Sequence, residues 1–136
     1  MADKRFLLEI VTPDKVLVSE KVDSVTIPGT QGEFQVYAGH TPFLTDLAVG
    51  RVFFDTGGKR IYICISGGFC EVTPNRTLIL ARTAETPGMI DKARAQAARD
   101  RASNRLATKD TGYIDEARAR LALLRSLNRL GIAEMR

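Results

Sequence analysis

Tryptophan is absent from the 136 residues, cysteine occurs twice and histidine once. That inventory is too small for a closed zinc site or a disulfide framework, so Cys64 and Cys70 are expected to be reduced, buried and to behave as small hydrophobes. No apolar run approaches the ~20 residues of a membrane span, and the start Met1-Ala-Asp-Lys-Arg5 lacks the apolar core of a signal peptide. A cytosolic chain without a transmembrane segment is therefore expected. Catalytic signatures are missing as well: His40 has only Asp46 nearby, and neither a Gly-x-Ser-x-Gly elbow nor a cysteine in a catalytic motif accompanies it. There is no P-loop pattern, and Gly29-Thr-Gln-Gly32 is too short to serve as one. These absences predict no catalytic residue, no metal and no catalytic cofactor. Any nucleotide would be held by side chains and not hydrolysed.

What is present divides at Thr86-Pro87-Gly88. At 44% hydrophobic and 26% charged the chain can bury a real core but is too short for two large domains. Residues 1–87 hold 9 Lys/Arg against 10 Asp/Glu, and residues 88–136 hold 11 against 6, so the net charge of +4 comes from the second part alone. Such a split points to anions or an acidic protein surface as the partner of that part. Nucleic acid fits less well, because Tyr113 is the one aromatic available there for base stacking and no groove-reading motif occurs.

Residues 1–87 read as a series of short strands. Phe6–Val11, Val16–Val18, Val22–Ile27, Glu33–Tyr37, Arg51–Phe54, Arg60–Ile65, Phe69–Val72 and Thr77–Leu80 are enriched in β-branched and aromatic residues, and Pro13-Asp14, Pro28-Gly29, Gly57-Gly58, Gly67-Gly68 and Pro74-Asn75 stand between them as turns. Strands at this spacing predict an antiparallel β-sandwich or flattened barrel.

Residues 88–136 contain one helical phrase written twice. Ile90–Leu106 and Ile114–Leu130, offset by 24, agree at 10 of 17 positions, with no proline or glycine inside either copy. Asp110-Thr-Gly112 breaks the two, predicting an α+β chain whose β-sandwich is followed by a two-helix antiparallel hairpin. The repeated letters Asp91, Arg94, Ala98, Arg101, Arg105 and Asp115, Arg118, Ala122, Arg125, Arg129 follow a 3,4 spacing that puts each set on one helical face. In an antiparallel register Asp91 should meet Arg129, Arg94 should lie near Arg125, and Arg105 should meet Asp115. These could be ordinary interhelical salt bridges, worth about 0 to 1 kcal/mol each. The alternative is an arginine cluster, Arg94, Arg125 and Arg129, converging on an anion with several phosphates, to which the planar guanidinium fork is suited. Three arginines around one acid exceed what a structural pair needs, which favours the anion.

Several motifs in order resemble the epsilon subunit of the bacterial rotary ATP synthase: Pro28-Gly-Thr-Gln-Gly-Glu-Phe34, Gly39-His-Thr-Pro42, Gly67-Gly-Phe69 with Glu71-Val72, and Ala84-Glu85 followed by Ile90-Asp-Lys-Ala-Arg-Ala95. The resemblance runs from about Phe6 to the end, departing from common family letters at Gln35, Ala38 and Arg82. It implies a non-catalytic central-stalk subunit, peripheral on the cytoplasmic face of the bacterial membrane, contacting the gamma subunit, the c-ring and the alpha/beta catalytic head. Its hairpin would fold on the sandwich or extend into the head and block ATP hydrolysis. In some family members the folded hairpin binds ATP as a regulatory ligand. Carried over by position, that implicates Glu85, Ile90, Asp91, Arg94, Ala95, Arg101, Arg125 and Arg129, while Glu33 and His40 are expected to face the c-ring or gamma. The rival expectation is a free-standing nucleotide-sensing or nucleic-acid-binding module. The division expected is a sandwich over residues 1–87 and a regulatory hairpin over residues 88–136.

Overall fold

A computed structural model of the chain describes residues 4–107 and 113–135. The β part consists of β1 (Phe6–Val11), β2 (Val16–Val22), β3 (Ser24–Gly29), β4 (Gly32–Tyr37), β5 (Phe43–Thr56), β6 (Lys59–Thr73), β7 (Arg76–Ala81) and the two-residue β8 (Ala84–Glu85). A 3-10 turn at Pro87–Met89 leads to α1 (Lys92–Ala107) and α2 (Tyr113–Ala133). The expected Asp110–Gly112 break lies outside the described residues.

The strands form a sandwich whose sheet runs β2-β1-β7-β6-β5-β3-β4, with β8 beside β6. Its two layers share β5 and β6, which are 14 and 15 residues long and bend from one layer to the other. The first half of β6 pairs with the second half of β5 and with β8, while its second half pairs with the start of β5 and with β7. Alternating side chains of both layers meet inside, where Phe6, Leu8, Ile10, Ile27, Phe54, Ile63, Ile65 and Ile79 are fully buried. The period-2 pattern of β1, buried at Phe6, Leu8 and Ile10, is the expected signature of a strand with one face in the core. The sandwich is not wholly antiparallel: β1 lies parallel to β7, with Leu8 opposite Thr77 and Ile10 opposite Ile79.

Gly67 and Gly68 are not a turn. They lie inside β6, Gly67 at φ 93° and Gly68 at φ 141°, where the strand passes from pairing with β8 at Ile65 to pairing with β7 at Gly68. A Cβ on Gly68 would fall 2.0 Å from the Leu80 carbonyl oxygen. The glycines therefore allow the bend and the close approach of β7 rather than ending the strand. β5 likewise begins at Phe43, eight residues before the hydrophobic run that marks it in the sequence.

The hairpin packs on the layer containing β8 and the first half of β6. Ile90, Ile132 and Ala133 bury against Cys64, with Tyr62 and Met135 at the edge. Removing an isoleucine of this kind from water is worth about 1.5–3 kcal/mol. A polar contact fixes the register. The Asn128 side-chain amide donates to the Gly50 carbonyl at 2.7 Å and lies 3.2 Å from Cys64 Sγ and 3.4 Å from the Ile65 carbonyl, so one side chain on α2 holds both long strands. Both cysteines are free and buried, as expected. Burial pushes the Cys64 thiol up to about 11 and the Cys70 thiol up to about 12, so little of the reactive thiolate exists at neutral pH.

Gly68→Ala, with its blocked Cβ and positive φ, should destabilise the protein by about 3 kcal/mol or more, read from the urea midpoint. Gly67→Ala, whose Cβ would meet nothing closer than the Leu47 carbonyl at 3.5 Å, should cost about 1–3 kcal/mol. Asn128→Ala should raise the rate at which Cys64 reacts with a maleimide about ten-fold, the effect of losing roughly 1–2 kcal/mol of docking. Cys70, inside the sandwich, should stay protected; equal labelling of both thiols would mean global unfolding instead of undocking.

Candidate functional site

Asp91 starts α1. Its Oδ1 accepts from the Arg94 backbone N–H at 3.0 Å and its carbonyl accepts from the Ala95 N–H at 3.0 Å, which makes it the N-cap. Carboxylates are doubly suited to that position because the helix dipole is positive there. The expected Asp91–Arg129 ion pair is not made. Arg129 Nε instead donates to Glu85 Oε1 at 2.8 Å. Glu85 reaches it because β8 sets Glu85 opposite Cys64, on the strand over which α2 lies.

The two helices approach closely because the residues between them are small. Ala95 and Ala102 of α1 and Ala119 and Ser126 of α2 are buried, each pair seven residues apart. They are also repeat partners, Ala95 with Ala119 and Ala102 with Ser126 at the offset of 24, so the repetition provides a matched seam for an antiparallel pair with near two-fold symmetry. Ser126 satisfies its hydroxyl by donating to the Ala122 carbonyl at 2.8 Å.

Above this seam lies a groove of about 270 Å³ lined by Arg94, Arg101, Arg105, Arg125 and Arg129 over Ala98, Ala102, Ala119, Ala122 and Ser126. No carboxylate among the described residues lines it. Arg94, Arg101, Arg105 and Arg125 have no carboxylate partner among the described residues, whereas Arg99 and Arg120, on other faces, pair with Asp100 and Glu116. Beside the groove is a hollow of about 160 Å³ lined by Glu85, Met89, Asp91, Arg94, Ala95 and Arg129. Arg94 and Arg129 belong to both. One end therefore offers carboxylate acceptors and the other a row of guanidinium donors, an arrangement that can take a molecule with N–H donors at one end and several anionic oxygens at the other.

Of the residues expected at the site, Glu85, Asp91, Arg94, Ala95 and Arg129 meet in the hollow, and Arg101 and Arg125 join through the groove. Ile90 lines neither; it is buried against Cys64, Ile132 and Ala133, where it anchors the hairpin. Arg118 does not line the groove, while Arg105, expected to pair with Asp115, does; the Asp115 side chain lies outside the described residues. The role of Asn128 has no local signature beyond its recurrence at Asn104, because its partners, the Gly50 and Ile65 carbonyls and Cys64 Sγ, lie 63 to 78 residues away.

Glu33 and His40 lie elsewhere. Glu33 is exposed on β4 opposite Pro28, and His40 Nδ1 is 2.7 Å from the Thr41 carbonyl in the following loop. Phe43 links their neighbourhoods, meeting Phe34 edge-on at 5.3 Å and His40 at 6.4 Å between ring centres. Phe43 and Leu44 are 43% and 71% exposed, so this rim is apolar as well as polar.

Comparison with known proteins accounts for both parts of the chain. Residues 5–87 match the family described as ATP synthase, Delta/Epsilon chain, beta-sandwich domain, and residues 89–134 match ATP synthase, Delta/Epsilon chain, long alpha-helix domain. The ATP synthase epsilon chain of Maridesulfovibrio salexigens is 51% identical over 133 residues, covering 81% of this chain and 93% of that one. The epsilon chain of Nitratidesulfovibrio vulgaris is 49% identical over 105 residues, 77% of this chain and 78% of its own. A chain in the mitochondrial ATP synthase of Euglena gracilis, solved with OSCP, F1 and c-ring, superposes with a TM-score of 0.83 at 25% identity over 96% of this chain and 82% of that one. A central-stalk and c-ring structure from Tetrahymena thermophila shares the fold, at TM-score 0.63 and 11% identity over 98% and 99% of the two chains. The sandwich, the docked hairpin and these likenesses agree: the chain belongs to the ATP synthase epsilon-chain family.

Proposed function

We propose that the chain is a non-catalytic central-stalk subunit that couples the rotor to the catalytic head and restrains ATP hydrolysis through an ATP-sensitive hairpin. In this reading residues 1–87 form the rotor-seated sandwich and residues 88–136 the regulatory hairpin. The subunit sits peripherally on the cytoplasmic face of the bacterial membrane, with gamma, the c-ring and the alpha/beta head as partners. Among the described residues no helix is long and apolar enough to cross a membrane. The rim of Glu33, His40, Phe43 and Leu44 is the surface proposed to face the c-ring or gamma.

The observation that carries the nucleotide reading is the sharing of Arg94 and Arg129 between the carboxylate hollow and the arginine groove. With ATP in place, the base lies by Glu85 and Asp91, whose free carboxylate oxygens accept from the adenine amino group, and the phosphates run into the groove. Arg94, Arg101, Arg125 and Arg129 bind them. Like charges held this close oppose the folded hairpin unless an anion lies among them, so ATP stabilises the docked state. When ATP is scarce the hairpin opens and offers its basic faces to acidic surfaces of the head, stopping hydrolysis.

Arg125 is the sharpest test because it lines the groove without a carboxylate partner among the described residues, so its removal breaks no ion pair seen there. Calorimetric titration with ATP should show Arg125→Ala binding about 10- to 100-fold more weakly, the loss of one charge-assisted contact of about 1.5–3 kcal/mol. The assembled enzyme carrying it should be more inhibited at a given ATP concentration. Overlaid isotherms for parent and variant would remove the nucleotide from the groove.

A further inference from the structure

The groove extends further than a triphosphate needs. Arg94 and Arg105 both line it, and eleven residues of helix separate them by about 16 Å at 1.5 Å per residue. Three phosphorus atoms joined by two bridging oxygens are much shorter than that. The groove is also nearly symmetric. Arg101 and Arg125 are repeat partners at the offset of 24, as are Arg105 and Arg129, and all four line it. In an antiparallel hairpin the partners stand at opposite ends, so Arg129 beside the hollow recurs at the far end as Arg105 and Arg125 recurs as Arg101, while Arg118, the partner of Arg94, does not line the groove. The floor between them is alanine and serine, and among the described residues no acid lines it to repel a polyanion. An ordinary solvated helix face would intersperse acids with its bases, as Arg99 with Asp100 and Arg120 with Glu116 do on the other faces of this hairpin.

We infer that the groove accepts a linear polyphosphate chain longer than a triphosphate, with Arg105 holding the end remote from Asp91. The chemical class is a chain of four or more phosphates, either capped by a nucleoside or free. The nucleoside-capped form rests on the nucleotide reading above, because its base would occupy the Glu85–Asp91 hollow; the free chain would use the groove alone.

The full-length protein is titrated at about 0.15 M salt, where contacts beyond roughly 8 Å are screened, with ATP, adenosine 5′-tetraphosphate and inorganic tetraphosphate. The parent should bind adenosine tetraphosphate at least ten-fold more tightly than ATP. Arg105→Gln should abolish that gain and change ATP affinity less than two-fold. Arg120→Gln, which removes one charge from another face, should keep the gain. Equal affinities for ATP and adenosine tetraphosphate in the parent would overturn the inference and leave the nucleotide reading standing, as would an equal loss of both ligands in Arg105→Gln or loss of the gain in Arg120→Gln. If neither nucleotide binds, the nucleotide reading fails; inorganic tetraphosphate binding that depends on Arg105 would then assign the groove to the free chain, and its failure to bind would overturn the inference too.

Discussion

Five guanidinium groups stand around one groove with no acid among the described residues that line it, and in the proposed function the behaviour of the hairpin depends on how that repulsion is met. Small residues at Ala95, Ala102, Ala119 and Ser126 let the helices close, and closing brings Arg94, Arg101, Arg105, Arg125 and Arg129 around common space. Packing and electrostatics thus pull in opposite directions. Glu85 answers part of the charge by accepting from Arg129 at 2.8 Å, but with Arg129 36% exposed that pair is worth about 1 kcal/mol or less. The remainder is left to an anion, to salt, or to separation of the helices. In the proposed function this opposition is what ATP acts on, because a ligand shifts an equilibrium only by its differential affinity for the two states.

The sandwich takes part in the balance and does not merely carry the hairpin. β8 places Glu85 beside Arg129, and the bend in β6 brings Cys64 and Ile65 under α2, where Asn128 reaches across to Gly50 on β5. Asn128 and Arg129 are adjacent, so the residue that holds the hairpin to the strands neighbours one of the two residues shared by hollow and groove. Gly50 leaves room for the Pro28 side chain, which a Cβ there would meet at 2.8 Å.

Much of this was legible in the sequence for definite physical reasons. The repeat, the charge split and the helical spacing of arginine each follow from local periodicity, so the hairpin and most groove residues could be named before any coordinates. The strands rich in β-branched and aromatic residues between turn signals, such as Phe6–Val11 and Thr77–Leu80, were equally plain. Gly67-Gly68 read as a turn because glycine pairs usually are turns; only the approach of Leu80 shows that the bend continues a strand. Asp91 read as an ion-pair partner because facing registers put it near Arg129, yet the first turn of a helix leaves N–H groups unsatisfied and claims a nearby carboxylate first. Glu85 and Asn128 depend on contacts across 44 to 78 residues that no local pattern encodes. The family resemblance supplied Glu85; nothing local supplied Asn128.

In the proposed function an anion in the arginine groove holds the hairpin on the sandwich, and Cys64 reports on it directly because α2 covers that thiol. The decisive measurement is the maleimide reaction rate of Cys64 in the isolated protein across a titration of ATP, with Cys70 as the internal reference. The rate should fall saturably as ATP rises, with the midpoint displaced to higher ATP in Arg125→Ala. A Cys64 rate independent of ATP under conditions where calorimetry shows ATP bound would contradict it.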